Sequence, residues 1–440
     1  MNFYSKETFN QGTAEIEGKK FSFSFSDEKF SFIPLESIPK DGSWKLNRRS
    51  DLKNLNIACI PYGLDDTTLE IIGTREAYIP YNNNFQFTYD KLFIHRNHYK
   101  IDVLEFVGPS INHIVQNITM KRSVQNGKAL SRCSLKKSLS IDGNKCDLTT
   151  VNILSNRSDQ IEIAYASHVY LHFYNSLTKE EAFKIYLAFI RLVQLLSHRQ
   201  DIYFDCNTLE TDGDEAIPTG SMYFSNISKA NVGKNSQPIS LETILPIIGD
   251  LINYIIDGGI IPLFIPAKRD VTFSDSYILA TGWAQMVFKQ AYVPSDQNYS
   301  IRGLDVYCKQ SNGESKKVSL NDQLSAMIMD SFPYVSKFAN IALPFLVSNI
   351  NIQKYTSIDL PKRLKTVRNA IAHGSSEPKD YEYTPYDMAL LLIAVYHGIF
   401  KKKFNLEDSL FKLAMAELFF DSTQVFSEWR KTPLCKERSD

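Results

Sequence analysis

Lys19-Lys20-Phe21-Ser22-Phe23-Ser24-Phe25-Ser26 runs through Asp27-Glu28 into Lys29-Phe30-Ser31-Phe32. Phenylalanine alternates with serine at a period of two, the period at which a strand turns successive side chains to opposite faces. Ser26-Asp27-Glu28 breaks the alternation with polar turn formers, and the phenylalanines then resume. Two such runs joined by a short polar turn predict a β-hairpin. Its aromatics are read as sheet core rather than as a platform for stacking bases. The pattern continues in Leu69-Glu70-Ile71, Phe85-Gln86-Phe87, Ile101-Asp102-Val103, Ile161-Glu162-Ile163 and Val169-Tyr170-Leu171. The first 160 or so residues therefore predict an antiparallel sheet or sandwich.

Thr178-Lys179-Glu180-Glu181 is a capping box that opens a long apolar helix over 178–198. A strand pair is expected around Ile202-Tyr203-Phe204 and Ser221-Met222-Tyr223-Phe224, with mobile polar loops over 211–237. From about residue 270 the periodicity becomes helical. Helices are expected at Ser276–Tyr292, Leu320–Phe332, Phe338–Ile350 (disturbed by Pro344), Asp359–His373, from Thr384-Pro385 through Phe400, and after Asn405. The expected fold class is α+β. A β-rich N-terminal region, residues 1–265 with the long helix, precedes an all-α helical bundle over 266–440.

Formal net charge is zero, which argues against a general nucleic-acid coat. The most apolar stretch, Leu245 to Ile265, is interrupted by Asp250, Asn253 and Asp257 and does not read as a membrane span. The chain starts without an apolar signal segment. Its six cysteines are scattered without a C-x-x-C pair, so neither zinc nor a disulfide framework is indicated and a reducing cytoplasm is expected. His168 and His172, four apart in a strand-like segment, read as ordinary strand residues rather than a metal pair. His95 and His98 read as a polar loop or strand edge, and Lys401-Lys402-Lys403 as a solvated helix end.

One motif stands apart: Arg368-Asn369-Ala370-Ile371-Ala372-His373, followed by Gly374. An Arg-Asn pair with His five positions after the Arg is expected by chance only about 0.02 times in such a chain. Leu360, Leu364, Val367 and Ile371 form the apolar stripe of its helix. Asn369 and His373 share a face nearly opposite that stripe, with Arg368 on the flank. Asp359 is the expected N-cap and Gly374 the C-terminal stop. Lys362, Arg363 and Lys365 make the helix basic. Such a run is commonly a solvated face. Beside this motif it also suits RNA phosphates.

The motif resembles the R-x4-H signature of HEPN-domain ribonucleases. Its late place in a helical region, followed by the polar turn Ser375–Tyr383 and another long apolar helix, is similar to that family. The combination with a β-rich N-terminal region looks like anti-phage defence proteins of the ApeA type, a likeness of layout alone. The resemblance implies a metal-independent RNA endonuclease acting in bacterial anti-phage defence. Arg368 and His373 would be catalytic, Asn369 a helper, and Lys362, Arg363 and Lys365 RNA contacts. Gln285 is the nearest candidate for an extra polar residue that some members carry on their first helix. No cofactor and no metal are implied.

One His cannot begin as both base and acid, so a homodimer or higher even oligomer is expected to complete the site. The N-terminal region would sense or restrain, with a phage-derived trigger as partner, and no membrane is involved. The alternative is a non-catalytic dimerisation or binding protein whose N-terminal region recognises a phage or host ligand.

Overall fold

The computed structural model describes Tyr4, Lys6 and residues 8–16, 18–26, 29–36, 56–63, 66–78, 85–115, 132–156, 163–197, 202–213, 215–225, 238–262, 273–293, 298–303, 305–346, 359–373 and 385–411. In chain order the strands and helices are β1 (Gln11–Ile16), β2 (Lys19–Ser26), β3 (Lys29–Pro34), β4 (Asn56–Pro61), β5 (Thr67–Tyr78), β6 (Phe85–Arg96), β7 (Val103–Val107) and α1 (Pro109–Val115). Then come β8 (Arg132–Ile141), β9 (Asn144–Asn156), β10 (Ile163–Phe173), α2 (Lys179–Ser197), β11 (Asp205–Asp212), β12 (Glu215–Phe224) and α3 (Ile248–Ile256). The remainder is α4 (Phe273–Tyr292), β13 (Tyr299–Arg302), β14 (Asp305–Lys309), β15 (Ser315–Lys317), α5 (Leu320–Leu346), α6 (Asp359–His373) and α7 (Pro385–Phe404).

The phenylalanine hairpin is present. β2 and β3 pair antiparallel, Phe23 opposite Phe32 and Phe25 opposite Phe30. β3 also pairs with β6, so β3-β2-β1-β4-β5-β6 closes into a six-stranded ring. The inward phenylalanines fill it: Phe21, Phe30 and Phe32 are fully buried with Leu69, Ile71, Leu92 and Ile94. From β6 the same antiparallel sheet continues as β12-β11-β7-β10-β9-β8, twelve strands in all. β6 serves both parts along one edge. Residues 85–88 meet β3, and residues 91–95 meet β12. Gly220 is required at that junction, because a Cβ there would lie 2.5 Å from the Ile94 carbonyl oxygen.

On the open part of the sheet, α2 covers one face. Phe189 stacks on Phe106 of β7 at 3.9 Å between ring centroids. The capping box forms as expected. Thr178 N–H donates to Glu181 Oε2 at 2.8 Å, and Glu181 N–H donates to Thr178 Oγ at 3.2 Å.

Two compact units are resolved. The first takes residues 1–193, 201–234 and 240–256; the second takes 194–200, 235–239 and 257–440. The expected α+β arrangement ending in an all-α bundle is overturned. The twelve-stranded antiparallel sheet dominates the described chain. The second unit carries a sheet of its own, β13-β14-β15, between α4 and α5. It leaves no mark in the sequence for a physical reason. Its strands are three to five residues long, and Val306 is their one fully buried apolar residue, so no period-two pattern stands out.

Other expectations also change. Leu320–Phe332 and Phe338–Ile350 are not two helices; one helix, α5, runs through Pro333 and Pro344 to Leu346. Thr211, Asp212 and residues 215–220 are not mobile loop; with the expected strand at Ser221–Phe224 they belong to the hairpin of β11 and β12, Asp212 opposite Glu215. Residues 226–237 lie outside the described residues. No described helix is long and apolar enough to cross a membrane.

Candidate functional site

α6 is held by its apolar stripe. Leu364 is 0% and Val367 3% exposed, in one core with Ala284 and Phe288 of α4, Leu324, Met327 and Ile328 of α5, and Leu392 and Val395 of α7. Ala370 completes the buried face. The motif lies around the rim of this anchored helix. Arg368 and Asn369 are half-buried and His373 is exposed in the last turn. The Arg368 Nη1 group donates to Asn369 Oδ1 at 3.1 Å. This fixes the guanidinium beside the amide while leaving most of its donors available. Asn369 and His373 are four residues apart, about one turn and 6 Å along the axis. The structure thus brings Arg368, Asn369 and His373 to one end of one helix.

The flanking cations divide. Lys362 is exposed and Lys365 half-buried; the Arg363 side chain and Gly374 lie outside what is described. Thr366 Oγ spends its proton on the Lys362 carbonyl oxygen at 2.8 Å. Gln285 is half-buried on α4, and no hydrogen bond joins it to the motif among the described residues.

No protein-family model matches the chain, and neither a curated protein nor a solved structure does. The reading of the motif therefore rests on its own residues and chemistry.

Lys401 is buried, donating to the Leu406 carbonyl at 2.7 Å and pairing with Asp408 at 2.6 Å, so it closes the end of α7. Lys402 pairs with Asp330 of α5 at 3.0 Å. Lys401 is thus a structural tie, whereas Lys402 and Lys403 are exposed, as expected of a solvated helix end. His95 lies buried within β6, not in a loop, with Nδ1 2.8 Å from the Arg96 carbonyl oxygen and Nε2 3.4 Å from Glu70. His98 is exposed just beyond the strand.

His168 and His172 project from the same face of β10 but do not act as a pair. His172 Nε2 meets Thr149 Oγ at 3.2 Å, and burial lowers its pKa. His168 Nδ1 meets Glu105 Oε1 at 2.7 Å, and the Asn207 amide donates to Glu105 Oε2 at 2.8 Å. Ser221 Oγ donates in turn to Asn207 Oδ1 at 2.8 Å. Burial works to raise the Glu105 carboxyl, but the hydrogen bonds from His168 and Asn207 bring it below its ordinary value. This network across four strands was invisible in the sequence. Its members are spread over more than a hundred positions, and only the register of β7, β10, β11 and β12 assembles them.

Proposed function

We propose that this protein is a metal-independent RNA endonuclease with the R-x4-H chemistry of the HEPN class, used in bacterial defence against phage, its N-terminal region sensing or restraining the nuclease. The reading rests on one observation. A permanent cation, an amide bound to it and an exposed imidazole converge at the end of a helix whose opposite face is locked in a core. It does not rest on a shared all-α bundle.

The reaction balances without water or metal. The ribose 2′-oxygen attacks the adjacent phosphorus as the imidazole of His373 takes its proton. The P–O5′ bond breaks, and a protonated imidazole supplies a proton to the departing 5′-oxygen. Arg368 neutralises the charge gathered on the phosphorane-like transition state. Asn369 holds the guanidinium for that task. The two proton transfers call for two imidazoles, which a homodimer or higher even oligomer would bring together. The products are a 2′,3′-cyclic phosphate and a 5′-hydroxyl.

The test is incubation of the full chain with total RNA in EDTA, followed by identification of the product ends. Cyclic phosphate ends that vanish in His373→Ala and in Arg368→Ala are expected. Undiminished cleavage by His373→Ala, or strict dependence on added Mg²⁺, would overturn the reading. A folded protein that never cuts RNA would leave the non-catalytic binding role.

A further inference from the structure

The short sheet that breaks the helical part of the chain has two unlike faces. Its inner face is apolar at the centre, where Val306 is 1% exposed and the Tyr299 ring stands edge-on to Phe288 of α4; exposed Lys316 lies beside Cys308 at its edge. The pairing register puts Arg302 beside Asp305, Tyr307 beside Lys317, and Lys309 beside Ser315 on the opposite face. Arg302, Lys309 and Lys317 are all exposed there. Three cations thus meet a single carboxylate, in a chain whose formal net charge is zero. The Arg302 guanidinium lies over the Tyr307 ring, 5.0 Å from its centroid. Lys317 pairs with Asp305 at 2.8 Å, while Lys309 stands exposed at the end of its strand, just before the second turn.

The ribbon is held in shape. Lys289 of α4 donates to the Gly303 carbonyl at 3.1 Å, fixing the first turn. In the second turn Gly313 adopts φ +83°, and the Asn312 side-chain oxygen accepts from the Glu314 N–H at 3.0 Å. The Val318 N–H returns to the Val306 carbonyl at 2.8 Å. A rigid face that sets cations at strand spacing around one aromatic ring has the make-up of a single-strand nucleic-acid platform. Cations take phosphates, and the ring with its stacked guanidinium takes a base without regard to sequence.

We propose that the outer face of β13-β14-β15 holds a single-stranded stretch of the RNA substrate, Lys309 and Lys317 meeting its phosphates and the Arg302–Tyr307 pair stacking on a base. The proposal builds on the ribonuclease reading and gives that enzyme a substrate surface in the same compact unit as α6.

The experiment measures binding, separately from cleavage. The full chain carrying His373→Ala, in EDTA, is titrated with a fluorescent single-stranded RNA across a range of salt. Lys309→Gln with Lys317→Gln should weaken binding by about tenfold or more and flatten the salt dependence by about 1.4 log units per log unit of salt, the release expected for two phosphates on a single strand. Lys309→Gln, which leaves the Arg302–Tyr307 stack intact, should flatten it by about 0.7. RNA carrying 4-thiouridine should crosslink to the peptide that contains Tyr307. Unchanged affinity and slope in the folded Lys309→Gln protein, or crosslinks that avoid this peptide, would overturn the proposal, and a face reserved for an acidic protein would give that result. Failure of the catalytic reading shows differently: RNA is bound through this face but is not cut by the protein with His373 intact.

Discussion

Arg368, Asn369 and His373 differ in how firmly the helix commits them, and their variants should differ accordingly. His373 is exposed and Arg368 only half-buried, so alanine at either position should abolish cleavage while shifting stability by less than about 1 kcal/mol in thermal melting. Asn369→Ala removes the partner of the guanidinium but no proton-transfer group. It should lower the cleavage rate less than Arg368→Ala does, and equal loss in the two variants would show that Asn369 does more than orient. Glu70 supplies a different test. The His95 ring 3.4 Å away and the Lys179 ammonium, opposed by burial, lower its pKa from 4.5 to about 2. The unfolded chain then binds the proton more tightly. Glu70 therefore adds stability, up to about 3 kcal/mol, above pH 4.5. That contribution is lost as pH falls towards 2. Urea midpoints measured from pH 6 down to 2.5 should fall less in Glu70→Gln than in the natural protein; parallel curves would refute the assignment.

At the scale of elements, stability and activity should separate. Leu364 has no exposed surface and lies in the core shared by α4, α5 and α7. Leu364→Ala should cost about 2–5 kcal/mol, in contrast to the mild effect expected for its neighbour Arg368. Gly220→Ala should weaken the junction of β6 and β12, because the new methyl meets backbone rather than a yielding side chain. A denaturant midpoint equal to that of the natural protein would refute the close approach. Elements were legible where burial imposes a period. The phenylalanine hairpin and the stripe of α6 bury one face and leave the other wet, so the pattern survives in the sequence; the capping box of α2 was legible because Thr178 and Glu181 bond within one turn. β13-β14-β15 were illegible because their outer faces carry Arg302, Tyr307, Lys309 and Lys317 and little of them is buried. α5 was read as two helices, Leu320–Phe332 and Phe338–Ile350 with the latter disturbed at Pro344, yet one helix runs through both prolines to Leu346. The site splits in the same way. Arg368, Asn369 and His373 are neighbours in sequence and could be read directly, whereas Glu105, His168, Asn207 and Ser221 meet only through strand register.

At the scale of the whole molecule, light scattering of the active form should give an even number of chains, and mixtures of Arg368→Ala with His373→Ala chains should show how a site is shared. A fully active monomer would refute the composite site. Dissecting the restraint proposed for the N-terminal region requires care over where to cut. The second compact unit includes residues 194–200 and 235–239, and the Ile239 N–H donates to the Leu196 carbonyl at 2.8 Å. A fragment beginning at residue 266 lacks both segments, so a harmless fragment bears on restraint only if it is also folded. The double duty of β6 has a consequence during synthesis. Its residues 85–88 find β3 in chain already made, but residues 91–95 must wait for β12, since His95 pairs with Gly220. On the ribosome, half of one β6 edge therefore stays open while α1, β7 to β11 and α2 are produced. Open edges of that kind recruit other strands. Nascent chains stalled shortly before residue 215 should depend on chaperones to stay dispersed, and those stalled well beyond Phe224 should not.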